Sequence, residues 1–153
     1  MSRKHSSVAC LLLGAAIMLT GCATAAPAKA PPATVTRIAG SPVPRLELTE
    51  QAIQRLGVRT QPVREATAAA AQGPGKTGVR TVIPYSAVVY DTDGSTWAYV
   101  NTAARTYIRQ PIVIATIQGD IAILSGGPPV GAVVVTVGDA ELLGTEYNIS
   151  GEE

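Results

Sequence analysis

The sequence predicts a mainly β fold, an antiparallel β-roll or small barrel of short strands with one short helix at about 49–56. Three observations predict it. The chain of 153 residues is 46% apolar and only 15% charged, enough to bury a core in one domain. With no Phe and 4% aromatic residues, that core is aliphatic and rich in Val and Ile. Fifteen Gly and 11 Pro punctuate the apolar runs, which favours short strands and turns over long helices.

The elements follow in order. Arg3, Lys4 and His5 form a basic start, and Val8 to Leu19 is an apolar run interrupted only by Gly14. That run has signal-peptide length, whereas a spanning helix needs roughly 20 residues. Leu19-Thr20-Gly21-Cys22 comes next and resembles the signal of bacterial lipoproteins. The resemblance implies cleavage after 1–21, lipid attachment at Cys22, and a protein held outside the cytoplasm on the membrane surface. Two acyl chains, at ~0.8 kcal/mol per buried methylene, suffice for stable anchoring. Residues 22–45 are rich in Ala, Pro and Thr, and the chain has no carboxylate before Glu47. This composition predicts a semi-extended tether.

The folded domain is expected over 46–146, as 46–63 plus 79–146, with a tail at 147–153. Arg45 to Leu48 alternates as a strand. Thr49 is placed to cap a helix carrying Ala52, Ile53 and Leu56, and Gly57 suits its left-handed end. Val58 to Val63 returns to extended structure. Residues 64–78 hold five Ala and Gly73-Pro74-Gly75 and show no core pattern, so they read as a flexible connector. Strands are then expected at Thr81–Ile83, Ala87–Tyr90, Thr96–Asn101, Arg105–Arg109, Ile112–Ile117, Ile121–Leu124 and Ala132–Val137. Pro84 is excluded from a central ladder. Asp139 is placed to cap a last turn ending at Gly144.

Residue counts close off most enzyme chemistry. The only histidine, His5, lies in the leader, and the two cysteines are Cys10 within the leader and Cys22. A Ser-His-Asp triad, a Cys-His pair, a zinc site and an intramolecular disulfide all need residues that 23–153 lack. The net charge of +1 and the lack of a Lys/Arg cluster after the leader argue against nucleic acid. Ala70 to Thr77 fits the loose phosphate-loop pattern. The required strand before it and helix after it are missing, so no nucleotide is expected. Asp91-Thr92-Asp93-Gly94 reads as a hairpin turn, because a calcium loop needs a Glu where Thr102 stands. Asp139 with Glu141 is a candidate carboxylate pair for acid–base work, although two such residues near a chain end are usually solvated. Trp97 and Tyr99 alternate along one strand and offer a sheet face for a partner, a small ligand or an envelope glycan.

Several segments together resemble the periplasmic adaptor subunits of efflux pumps, the HlyD-like membrane fusion proteins. They are Leu46-Glu47-Leu48-Thr49, Arg55 to Thr60 and Pro62-Val63, then Ile83-Pro84-Tyr85-Ser86-Ala87-Val88. Trp97-Ala98-Tyr99-Val100, Arg109 to Val113, Gly119-Asp120, Leu124 to Gly127 and Gly131 to Val135 follow in the same order. The resemblance spans 46–63 and 79–146 and implies the membrane-proximal β-roll, in which the two segments come together and dock on an inner-membrane transporter. Full adaptors carry a β-barrel, a lipoyl-like domain and a helical hairpin between those segments; here only 64–81 stand there. The expectation is therefore a non-enzymatic lipoprotein accessory to a transporter, without cofactor or metal. The alternative is a cell-envelope binding module using the Trp97/Tyr99 face.

Overall fold

The computed structural model describes residues 31–66 and 80–147. Helix α1 (Glu50–Leu56) starts where Thr49 Oγ1 accepts the Ala52 N–H at 3.2 Å. It stops at Gly57, whose φ of +63° only glycine adopts without strain; Val58 N–H then bonds back to Ile53 O at 3.1 Å. Both ends are where the sequence puts them.

Strands β1 (Ala33–Thr36), β2 (Arg45–Leu48), β3 (Arg59–Pro62), β4 (Arg64–Glu65), β5 (Thr81–Pro84), β6 (Val89–Tyr90), β7 (Thr96–Ala103), β8 (Thr106–Pro111), β9 (Val113–Gln118), β10 (Ile121–Gly126) and β11 (Val133–Val137) precede helix α2 (Asp139–Glu146). They form two antiparallel sheets. One runs β1-β2-β8-β7-β11-β3, with β6 also on β7; the other runs β4-β5-β10-β9. The fold is mainly β and antiparallel, as expected, and neither sheet closes into a barrel.

Residues 45–62 are woven into this architecture. Leu46 lies opposite Tyr107 in the β2–β8 ladder, and Thr60 lies opposite Val135 in the β3–β11 ladder. The segment holds too few apolar side chains to fold alone, and each aliphatic one fully buried contributes about 1.5–3 kcal/mol.

Strand alternation sends side chains to two cores. On β7, Ala98 and Val100 point between the sheets and meet Ile83, Ala122, Leu124 and Val134. Trp97 and Tyr99 point to the opposite face, where they meet Leu46, Leu48, Tyr107, Val135 and the helix residues Ala52 and Leu142. The large sheet is thus covered on one side by the small sheet and on the other by both helices. Three consecutive residues of β7, Ala98 to Val100, are buried for this reason.

Four boundaries differ from the sequence expectation. The tether expected over 22–45 gives up its second half to the fold. Ala33–Thr36 pairs with β2, and Thr49 N–H bonds to Pro32 O at 2.9 Å, so the backbone there finds partners in place of water. The connector is also shorter: Arg64 and Glu65 pair with Val82 and Thr81, and Ala66 N–H bonds to Arg80 O at 2.8 Å. Residues 85–87 form a 3-10 turn, so the strand expected over Ala87–Tyr90 shortens to Val89–Tyr90. Pro84 ends β5 beyond the reach of β4, so its missing N–H leaves no gap on that side of the ladder. Finally, Gly138, and not Asp139, takes the capping position of α2, and the helix runs through Gly144 to Glu146. Gly138 has φ +92°, and an added Cβ would stand 3.0 Å from Val58 Cγ2. Among the described residues no helix is long and apolar enough to cross a membrane.

Candidate functional site

The largest concentration of polar chemistry surrounds Arg109 on β8. The register of the β7–β8 hairpin sets Arg109 directly opposite Tyr99, so both side chains share the helix-covered face. Arg109 is only 6% exposed, and its guanidinium forks between two carboxylates. Nη1 lies 2.6 Å from Asp91 Oδ2, at the end of β6, and Nη2 lies 2.9 Å from Glu146 Oε1, in the last turn of α2. Its carbon stacks over the Trp97 ring at 4.6 Å and over Tyr147 at 5.7 Å, within cation–π range. Two phenols complete the network: Tyr99 donates to Glu146 Oε2 at 2.6 Å, and Tyr147 donates to Asp91 Oδ1 at 2.9 Å. One donor stays unmatched, the buried Nε of Arg109.

The local sequence explains each arm. The Asp91–Ser95 turn closes with Asp91 N–H on Ser95 O at 2.9 Å and Gly94 at φ +82°. Thr92 N–H holds the Asp91 carboxylate at 2.7 Å, and Ser95 Oγ, itself bonded to Asp93, accepts the Trp97 indole N–H at 2.7 Å. The Asp-Thr-Asp-Gly stretch is therefore the hairpin turn expected, and it also aims Asp91 at Arg109.

The contacts shift the titration of Asp91, Tyr99 and Arg109. The Arg109 hydrogen bond, helped by Thr92 and Tyr147, brings the Asp91 carboxyl down to about 2. Burial pushes the Tyr99 hydroxyl far up, and its bond to Glu146 adds to this. Burial alone would lower Arg109, but the Asp91 bond and the Glu146 charge outweigh it and raise it instead. The network ties the β6–β7 turn, the centre of the large sheet and the end of α2 together. Beside it opens a groove of about 710 Å³, walled by Val35, Arg37, Pro42, Pro44, Arg109 and Tyr147.

The sequence-selected residues fare differently. Trp97 and Tyr99 do share a face, but Tyr99 is completely buried, so they form no open platform for a glycan; α2 covers the face by placing Leu142 and Glu146 on it. Asp139 and Glu141 do not form an acid–base pair. Two positions apart on a helix they diverge, and burial raises the Asp139 carboxyl while Glu141 stays exposed. Tyr147, assigned to the tail 147–153, belongs to the network. Cys22 with the leader 1–21, and the phosphate-loop stretch 70–77, lie outside the described residues. Among the described residues no three of His, Cys, Asp and Glu gather as a metal site requires.

Sequence reasoning missed Arg109, Asp91 and Glu146 as a unit. One signal was available: pairing Thr96–Ala103 with Thr106–Pro111 through a tight turn puts Arg109 beside Tyr99. Comparisons of the chain with protein-family models, curated proteins and solved structures give no match. The fold and site alone define the class, a two-sheet antiparallel β domain locked by a buried arginine knot.

Proposed function

We propose that the protein is an extracytoplasmic lipoprotein, anchored to the membrane through Cys22, whose β domain docks on an inner-membrane transporter as a non-enzymatic accessory. The observation that carries this reading is the interleaving of the two adaptor-like segments. Residues 45–48 and 59–62 take ladder positions beside β8 and β11, the arrangement that the resemblance implies for a membrane-proximal β-roll. The Arg109 knot supports the non-enzymatic part, because its ionisable groups are spent on one another. Nucleotide, nucleic acid and metal have no part in the reading.

The test has two arms. Cys22→Ser is expected to leave unprocessed precursor and to abolish labelling with a palmitate analogue. Affinity capture from crosslinked membranes is expected to recover an inner-membrane transporter with the wild-type chain. Release of the wild type as a soluble species beginning elsewhere refutes the anchor. Capture without any transporter refutes the docking role.

A further inference from the structure

An outermost strand presents unpaired N–H and C=O groups that template another strand, and proteins blunt such edges with short length, charge or proline. Among the described residues the two sheets end on β1, β3, β4, β6 and β9, and four of these are blunted, β6 by having only two residues. Strand β4 has two residues, both charged, Arg64 and Glu65. Strand β3 has four, opening on Arg59 and closing on Pro62. Strand β1 has four and sits between Pro32 and Arg37. Strand β9 is different. Its six residues, Val113 to Gln118, contain neither charge nor proline, and Val113 and Ile117 are 58% and 45% exposed. Two irregularities interrupt the β9–β10 ladder, at Ala115 on β9 and at Ser125 on β10, but Thr116, Ile117 and Gln118 keep plain register opposite Ile123, Ala122 and Ile121.

We propose that β9 is a homodimer interface, pairing antiparallel with β9 of a second copy so that two four-stranded sheets become one continuous sheet. The strand is its own complement. Antiparallel overlap of the regular stretch sets Ile117 against Ile117 of the second copy and Thr116 against Gln118, so no like charges meet and the apolar side chain faces its own kind. Such a two-fold contact is isologous and closes, hiding the edge of both copies at once. A partner chosen by charge finds nothing to read on this strand. On the anchoring through Cys22 proposed above, tethering both copies to one surface raises their effective concentration, which favours a contact of modest area.

Sedimentation velocity of the full chain in detergent, over a wide concentration range, tests this without any transporter. A concentration-dependent dimer is expected. Ile117→Lys is expected to weaken it ~tenfold or more by placing an ammonium in the new ladder. Val137→Lys, at a comparably exposed position on the large sheet, is expected to leave it intact. Hydrogen exchange gives a reading that needs no variant: amides of 113–118 gain protection as concentration rises, while those of 59–61 do not. A chain that stays monomeric throughout, a dimer that survives Ile117→Lys, or exchange at 113–118 that ignores concentration overturns the proposal.

Discussion

The two faces of the large sheet bury side chains by opposite means. Between the sheets the core is wholly aliphatic, built from Val63, Ile83, Ala98, Val100, Ile112, Leu124 and Val134. Beneath the helices, Leu46, Leu48 and Leu142 share their space with Tyr99, Tyr107 and Trp97, and the Arg109 knot sits at the rim. The first core needs only shape and volume, because apolar burial has no direction. The second depends on direction. A guanidinium taken out of water must find acceptors at set angles, and Asp91 and Glu146 supply them from elements 55 residues apart in the chain. The contrast teaches where specificity lies. Aliphatic packing tolerates many solutions, whereas the knot accepts one placement of α2.

Breaking each core separately sharpens this contrast. The largest effect is expected from Leu124→Ala, which leaves a cavity in the dry core and costs about 4 kcal/mol in denaturant unfolding, with little dependence on pH. Arg109→Ala comes next at about 3 kcal/mol, because it strands the buried Glu146 carboxylate without a counter-charge. Near-ultraviolet circular dichroism should register this change through Trp97, which loses its stacked cation, while Leu124→Ala leaves that signal nearly unchanged. If the two variants respond alike to pH, the division between the cores is wrong.

The smallest effect is the acid response. Asp91 titrates at about 2 in the folded protein and near ~3.9 when unfolded. A depressed carboxyl stabilises the fold above its unfolded value, and that contribution is lost as pH falls towards about 2. Melting temperature should therefore drop across this window in the wild type. Asp91→Asn should flatten the drop, and a slope that survives this substitution would assign the acid response to other carboxylates.

Legibility followed the range of the interaction. Helix α1 was readable to its caps, because Thr49 and Gly57 act on backbone within a few residues of themselves. The strands from Thr96 onward were readable from alternation and turns. The expected tether hid β1: Thr34-Val35-Thr36 are β-branched and suit a strand, but they sit in an Ala- and Pro-rich stretch, and only pairing with β2 fixes them as one. The Trp97/Tyr99 pair was correctly placed on one face, yet whether that face was open or covered depended on α2.

The sequence by itself determined the class of fold, the segments that alternate, the ends of α1, and the want of His and Cys beyond residue 22 that narrows the chemistry. These follow from composition and from interactions a few residues long. Only the tertiary structure decided that Arg109 would sit between Asp91 and Glu146, that Tyr99 would be sealed from solvent, and that β9 would be left as the unguarded edge. Each of those outcomes depends on which strand or helix arrives next to which. That choice is made by the summed burial of two cores, and no stretch of a few residues carries it.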